Sequence, residues 1–238
     1  MAVLFARRYR VAAKQPVARR QSGAASLTST ATESVPAPPG IALAFFASGF
    51  AALIYQVVWQ RVLFTSFGIN IEAVTIVVTA FLAGLGLGSL AGGKVSKRGG
   101  ASLLLAFAVV EISIGAYGLI SVPLFRWISN YSAGMSAVVT GSLTFTLVLL
   151  PTFFMGATLP LLVAYVVKKN GSVGASVGQL YFVNTAGSAL ASLITAAFLM
   201  RELGEAKSVA VAATINLIVG LSVLLMWFFE KAKTRVEA

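Results

Sequence analysis

The carboxyl group of Glu111 lies deep inside an apolar stretch, where an ionisable group is a candidate for chemistry. It is ten residues into the apolar run that begins at residue 101. At 1.5 Å per helical residue this is ~15 Å deep, near the midplane of a hydrocarbon core about 30 Å thick. A carboxylate there indicates a proton carrier or a cation site. The alternative, which we favour, is a neutral Glu that hydrogen-bonds to a neighbouring helix.

Amide and hydroxyl groups in other apolar stretches are candidate partners for Glu111. They are Tyr55 and Gln56 in the first stretch, Gln179, Tyr181 and Asn184 in the fifth, and Asn216 in the sixth. The same groups are equally typical of side chains that only hold membrane helices together.

The chain contains no His, no Cys and no Asp, and its acidic residues are seven Glu. Ser-His-Asp and Cys-His catalysis are therefore excluded, as are thiolate and imidazole ligands for zinc, haem or iron–sulfur clusters. We predict that the protein is not an enzyme and has no catalytic, cofactor-binding or metal-binding residues. The net charge of +11 does not indicate nucleic acid binding, because the 18 Lys and Arg lie in the tail and at the ends of apolar stretches.

Composition predicts an all-α integral membrane protein, since 58% of residues are hydrophobic, 11% are charged and the mean hydropathy is +0.90. Six apolar segments of about 20 residues predict a six-helix transmembrane bundle within residues 41–229. Their limits are 41–65, 71–93, 101–124, 138–167, 176–200 and 207–229. The fourth contains Pro151 and Pro160 and is either one kinked span or two.

The positions of the cations favour six spans over seven. Six spans place the tail, the 94–98 loop, Lys168 with Lys169, and the cations of the short charged tail at 230–238 on one side. Excess Lys and Arg mark the cytoplasmic side, so both termini are predicted to be cytoplasmic. Seven spans would separate the Lys168 pair from the C-terminal cations.

A stripe of small residues in the second segment predicts close helix packing. Gly84, Gly88 and Gly92 recur every four residues and therefore share one helical face, which lets another backbone approach. A basic loop of Lys94, Lys97 and Arg98 follows immediately and indicates a cytoplasmic end.

Two further features are predicted at the membrane boundaries. Arg61 lies near the outer end of the first segment and Glu72 opens the second, which predicts a structural ion pair on the outer face. Trp59, Trp127 and Trp227 fall near the expected interfaces and are typical of an aromatic belt.

Residues 1–40 form a basic tail and a Ser/Pro-rich linker. A basic amphipathic stretch at its start predicts binding to an anionic membrane surface or to a protein partner. The tail also has the composition of an organellar transit peptide, although we expect it to be retained.

Five blocks of sequence resemble the membrane domain of bacterial fused spermidine synthase-like proteins. The blocks are SGFAALIYQVVWQRVLFTSFG at 48–68, AFLAGLGLGSLAGG at 80–93, EISIGAYGL at 111–119, LPTFFMGATLPLL at 150–162 and GQLYFVNTAGSALAS at 178–192. The resemblance implies a bacterial inner membrane, while an organellar membrane stays an alternative. It also implies a fold similar to half of a major facilitator superfamily transporter.

In that family a cytoplasmic aminopropyltransferase-like domain with an essential Asp follows the membrane domain. This sequence has no Asp, so the resemblance does not carry the enzymatic activity to these residues. The loop GGKVSKRGG at 92–100 is similar to the loop between the second and third helices of major facilitator transporters. Lys97 stands where their Asp would be, which argues against their conformational switch.

Three functions remain open. The favoured prediction is a non-catalytic subunit that packs in the lipid bilayer against other membrane protein subunits and scaffolds a larger complex. The first alternative is a small transporter or channel for polyamines or other cations, acting as a dimer, with Glu111, Gln56 and Asn184 at its site. The second is the membrane half of a split spermidine synthase-like enzyme.

Overall fold

The computed structural model describes residues 36–67, 71–97 and 102–236, and within these ranges it contains helices and short turns but no strand. The helices are α1 (Pro39–Phe67), α2 (Ile71–Ser96), α3 (Ser102–Ser132), α4 (Ala137–Asn170), α5 (Val173–Ile194), a π-helical segment (Thr195–Leu203) and α6 (Gly204–Val236). The predicted all-α class is confirmed for these residues. Arg98 and all but the last few residues of the predicted tail at 1–40 lie outside them.

Five helical stretches are long and apolar enough to cross a membrane. Four of them correspond to α1 to α4, and the fifth is a continuous stretch of 61 residues, Val173–Lys233, that contains α5, the π-helical segment and α6. The sequence predicts six spans. The count is five because no non-helical residue separates α5 from α6 within the described chain.

Helices α1, α3 and α5 run in the same direction, because positions further along one helix contact positions further along the others. Between α1 and α3 the contacts are Ser48 with Glu111 and Trp59 with Ser121. On the side of α5, Ala37 just before α1 contacts Gln179, and Gly49 in α1 contacts Ser188.

Helices α2, α4 and α6 run in the opposite direction. A short turn at 133–136 joins α3 to α4, and the two helices pack against each other, so α4 reverses the direction of α3. Helix α2 is parallel to α4, because Gly141 near the start of α4 faces Ile76 and Ala157 further along faces Gly92. Helix α6 is antiparallel to α1: Arg61 near the end of α1 pairs with Glu205 at the start of α6.

The glycine face of α2 lies against α4. A Cβ added at Gly84 would collide with Thr152, one at Gly88 with the carbonyl of Phe153, and one at Gly92 would lie 2.7 Å from the carbonyl oxygen of Ala157. A methyl group at any of these positions would force the two backbones apart, which would weaken the dispersion contacts that hold membrane helices together.

Helix α4 continues through both of its prolines, so the fourth apolar segment is a single helix. Pro151 has no N–H to donate to the carbonyl of Leu147, four residues earlier. The hydroxyl of Tyr117 on α3 donates to that carbonyl at 2.6 Å instead. A hydrogen bond from a neighbouring helix thus replaces the one that proline removes.

The chain turns between α5 and α6 at the π-helical segment and Gly204. Gly204 has φ 69° and ψ −176°, a conformation that glycine adopts readily and that interrupts regular helical hydrogen bonding. The hydroxyl of Ser208 donates to the carbonyl of Leu199 at 3.0 Å, which ties the start of α6 to the end of the π-helical segment.

One of the three interfacial tryptophans is instead part of the core. Trp59 is completely buried, stacks on Tyr55 with a centroid distance of 4.6 Å, and donates from Nε1 to Ser121 Oγ at 2.8 Å. The aromatic-belt prediction is wrong for Trp59 because α3 supplies a hydroxyl for its indole N–H inside the bundle. Trp127 is 63% exposed on the outside of α3.

We predict that Gly88→Ala loosens the bundle, whereas Gly86→Ala does not. The methyl group at residue 88 would collide with the α4 backbone, and overpacking of this kind costs about 1–3 kcal/mol. The same methyl group at residue 86 meets nothing within 4 Å, and Ala is the better helix former by roughly 0.5–1 kcal/mol. The measurement is the apparent melting temperature of each purified variant in the same detergent. Equal melting temperatures for the two variants would contradict the packing of α2 on α4.

Candidate functional site

The carboxyl group of Glu111 lies at the junction of three helices and is completely buried. Ser48 on α1 donates from Oγ to Glu111 Oε1 at 2.6 Å. Asn216 on α6 donates from Nδ2 to Glu111 Oε2. Each carboxyl oxygen therefore has a donor from a different helix, which lowers the large cost of placing this group in an apolar bundle.

Small residues along α3 and α6 bring these two helices close enough for the bond from Asn216. A Cβ added at Gly115 on α3 would lie 3.0 Å from the carbonyl oxygen of Ala213 on α6, and one at Gly220 on α6 would lie 3.0 Å from that of Ala108. These two glycines, on either side of Glu111 and Asn216, let α3 and α6 approach until a short amide side chain reaches the carboxyl group.

A cavity of about 160 Å³ adjoins this junction. Its polar lining residues are Ser48, Gln56, Thr158, Asn184, Ser188 and Asn216, and its apolar ones are Ala52, Leu53, Phe81, Leu85, Ile114 and Met155. Glu111 lies behind the wall of the cavity, bonded to Ser48 and Asn216. Asn216 Oδ1 is buried and has no hydrogen-bond partner among the described residues.

The structure gathers four of the predicted polar residues around this cavity. Gln56, Asn184 and Asn216 line it, and Glu111 is one hydrogen bond behind it. The other candidates lie elsewhere: Tyr55 stacks on Trp59, Gln179 accepts a hydrogen bond from the backbone N–H of Ala37 at 2.7 Å, and Tyr181 is 61% exposed.

Ser48, the second donor to Glu111, is missing from the predicted partners. It lies in a run of small and apolar residues where a serine has no local signal that separates a hydrogen-bond donor from a packing residue. Its spacing of eight residues from Gln56, two helical turns, is the one feature that would place both on the same face of α1.

A second polar cluster lies at the end of the bundle where α1 and α3 finish and α6 begins. Glu205 accepts from Arg126 Nη2 at 3.1 Å, and Arg61 Nε is 3.6 Å from its other carboxylate oxygen. The side chain of Glu72, the predicted partner of Arg61, lies outside the described residues. Both arginine side chains are more than half exposed, so the pairs contribute little to stability.

The opposite end of the bundle carries the lysines at the ends of α2, α4 and α6. Lys94 and Lys97 are exposed at the end of α2, and Lys169 at the end of α4 is 2.7 Å from Glu230 Oε1 on α6. Tyr165 also donates to Glu230 Oε1, at 2.5 Å, and Lys169 Nζ lies 4.6 Å from the centre of the Tyr165 ring. This cluster joins the last turns of α4 and α6.

Within the part of the chain that the structure describes, no group of three or more carboxylate, His or Cys side chains could hold a metal ion. What the Glu111 junction and its cavity can offer is a single acidic group surrounded by neutral hydrogen-bonding side chains.

Comparison with known proteins connects the chain to an enzyme. It is 25% identical over 201 residues to polyamine aminopropyltransferase 1 of Streptomyces coelicolor, a match that covers 82% of this chain and 35% of the relative. The chain thus spans about a third of the length of that relative. No protein-family profile matches it. No solved structure matches it either, so the similarity to half of a major facilitator transporter stays a prediction.

This finding overturns the prediction that the protein is not an enzyme, because the matched relative is an aminopropyltransferase. The prediction relied on the absence of His, Cys and Asp from the 238 residues. That absence excludes several catalytic mechanisms for these residues, but it does not decide whether they belong to an enzyme. The distant match does support the resemblance to spermidine synthase-like proteins.

We predict that Ser48→Ala destabilises the bundle more than Ser113→Ala does. Loss of the Ser48 hydroxyl leaves one buried oxygen of Glu111 without its donor, which costs about 1–3 kcal/mol. Ser113 is the matched control, because its hydroxyl donates to the carbonyl of Val109 within the same helix, α3. Melting temperatures in one detergent measure both; a Ser113 variant as unstable as the Ser48 variant would refute the role of Ser48.

Proposed function

We propose that the chain is the membrane-embedded part of a polyamine aminopropyltransferase. In this proposal the helical bundle holds the enzyme at the membrane, and residues outside these 238 carry the transfer chemistry, on the same polypeptide or on a partner subunit. The observation that carries the proposal is the match to an aminopropyltransferase over 82% of this chain.

The extent of the match supports this assignment. A match that covers 82% of 238 residues must include α2, α3 and α4 wherever it begins. The similarity therefore involves helices whose length and hydropathy suit a membrane. The scaffolding role expected from the glycine face of α2 is then to position a transferase, and the partners are the lipid bilayer and transferase domains.

We also propose six crossings, with both termini in the cytoplasm of a bacterium and the bundle in its inner membrane. The opposite directions of α5 and α6, and the turn at Gly204, favour two crossings within the 61-residue stretch. Its length of about 90 Å at 1.5 Å per residue is far more than one crossing needs. The basic ends of α2, α4 and α6 favour the cytoplasmic side for that end of the bundle.

Transport by a dimer stays an alternative prediction. The buried Glu111 beside a polar cavity is the feature that keeps it open, because intramembrane carboxylates mark cation pathways in many transporters.

Cysteine labelling tests the proposed topology, and every introduced thiol is unique within these 238 residues because they contain no Cys. We expect Lys97→Cys and Lys168→Cys to be protected from a membrane-impermeant maleimide in intact cells and labelled after permeabilisation. Met135→Cys and Lys207→Cys, at the other end of the bundle, should be labelled in intact cells. Equal labelling of Lys168→Cys and Lys207→Cys in intact cells would refute the two crossings between residues 173 and 233.

Purification from the native membrane tests the proposed function. An affinity tag on the chain should recover aminopropyl transfer to a radiolabelled polyamine precursor in a mild detergent, and deletion of the chain should remove the membrane-bound part of that activity. The Gly86→Ala variant should recover as much activity as the unmodified chain, since residue 86 touches no other helix. Recovery of the pure chain with no transferase and no transfer activity would refute the proposal.

A further inference from the structure

We propose that the cavity beside Glu111 binds the protonated amino group of an alkylamine. The proposal concerns a binding site within the described helices and does not depend on the proposed function. It rests on the hydrogen-bonding capacity of the cavity wall, on its charge and on its shape, which are taken in turn.

The polar wall of the cavity has used many of its donor protons and has acceptors left. Ser48 and Asn216 donate to Glu111, Thr158 donates to the carbonyl of Met155 at 2.7 Å, and Ser188 donates to that of Gly49 at 3.0 Å. The hydroxyl oxygens of Ser48, Thr158 and Ser188 keep lone pairs, and the amides of Gln56 and Asn184 line the same space. A ligand rich in donors satisfies them, and an ammonium group has three donors and no acceptor.

The charge around the cavity favours a cation. None of the residues that line it is Lys or Arg, and Glu111 lies directly behind Ser48 and Asn216. The described Lys and Arg lie toward the two ends of the bundle. A carboxylate in these surroundings gains most from a positive charge brought by a ligand, because the low dielectric strengthens the attraction.

The shape and apolar lining favour an alkylamine over a bare metal ion. A volume of 160 Å³ is about five times the roughly 30 Å³ that one water occupies, so it accommodates several heavy atoms. Leu53, Phe81, Leu85, Ile114 and Met155 form walls suited to methylene groups. The polar side chains are arranged around the same space, as an amphipathic ligand with one charged end requires.

Two further spaces lie along α1 and share lining residues, one with the cavity and the next with its neighbour. A second cavity of about 80 Å³ shares Gln56, Phe81 and Leu85 with the first. A wider surface groove shares Gln60 with the second cavity and reaches Arg61. The amides of Gln56 and Gln60 are one turn apart on α1 and provide carbonyl oxygens along these spaces for an ammonium group.

In the proposed complex the ammonium group donates to the amide oxygens of Asn184 and Gln56, two side chains that line the cavity. Glu111 is a positioning residue: it accepts from Ser48 Oγ and Asn216 Nδ2, which fixes these two side chains in the cavity wall, and its carboxylate supplies negative charge directly behind them. The methylene chain packs between Phe81 and Met155.

The test is binding of radiolabelled n-butylamine, which has one charged end, to the purified full chain in lipid nanodiscs. We expect saturable binding that unlabelled n-butylamine displaces and that n-butanol, its uncharged counterpart, does not. Glu111→Gln should weaken the affinity about tenfold or more, because it removes the charge while keeping the size of the side chain. Ala52→Phe, which fills the cavity and leaves Glu111 unchanged, should abolish binding.

Glu230→Gln is the matched control, because Glu230 is on the same helix as Asn216 but at the basic end of the bundle. The Glu230→Gln variant should bind the amine with the same affinity as the unmodified chain. Absence of saturable binding, displacement by n-butanol or by equimolar Na⁺, or undiminished binding by a folded Ala52→Phe variant would each overturn the proposal. The measurement needs no transferase, so loss of transfer activity with intact amine binding would refute the proposed function alone.

Discussion

The buried carboxyl group of Glu111 constrains the rest of the bundle, because it cannot be left without donors in an apolar environment. Its two oxygens accept from Ser48 on α1 and Asn216 on α6, so three helices must keep one relative position along their axes. A slip of one helical turn, about 5.4 Å, would break both bonds. Apolar contacts alone would tolerate such a slip. The buried carboxyl group of Glu111 does not, because leaving it without hydrogen-bond donors has a large free-energy cost. The polar junction therefore specifies the register of α1, α3 and α6.

Helices α2 and α4 pack in a different way, through close backbone contact and not around a buried carboxyl group. Among the described residues no buried charge is involved there. Instead, Gly84, Gly88 and Gly92 of α2 and Gly156 of α4 let the two backbones touch. Between this pair and the junction of α1, α3 and α6 lies the cavity, whose walls include residues from all six α-helices. The cavity is thus the space that remains where two tightly packed groups of helices meet, and both kinds of packing are needed to shape it.

Hydropathy predicts most of the helices closely, since the segment at 71–93 corresponds to α2, Ile71–Ser96, and the segment at 138–167 to α4, Ala137–Asn170. Contacts between distant parts of the chain are less accessible. Arg61 forms an ion pair with Glu205, 144 positions away. The π-helical segment has no recognised local sequence pattern. Trp59 resembles an interfacial residue until the Ser121 hydroxyl is known to face it. Glu111, Asn184 and Asn216 could be singled out because polar groups are rare in such segments, but Ser48 could not.

The bond from Tyr117 to the carbonyl freed by Pro151 has a consequence for how the protein is made. A ribosome synthesises Tyr117 thirty residues before Leu147, so the donor is already present when the proline-containing helix emerges. An α4 that entered the lipid by itself would expose a bare carbonyl to hydrocarbon, at a cost of several kcal/mol by the usual order of magnitude for an unsatisfied group. For the proposed membrane location, pairing with α3 during insertion would avoid that exposure, and the helix that carries the donor comes before the helix that needs it.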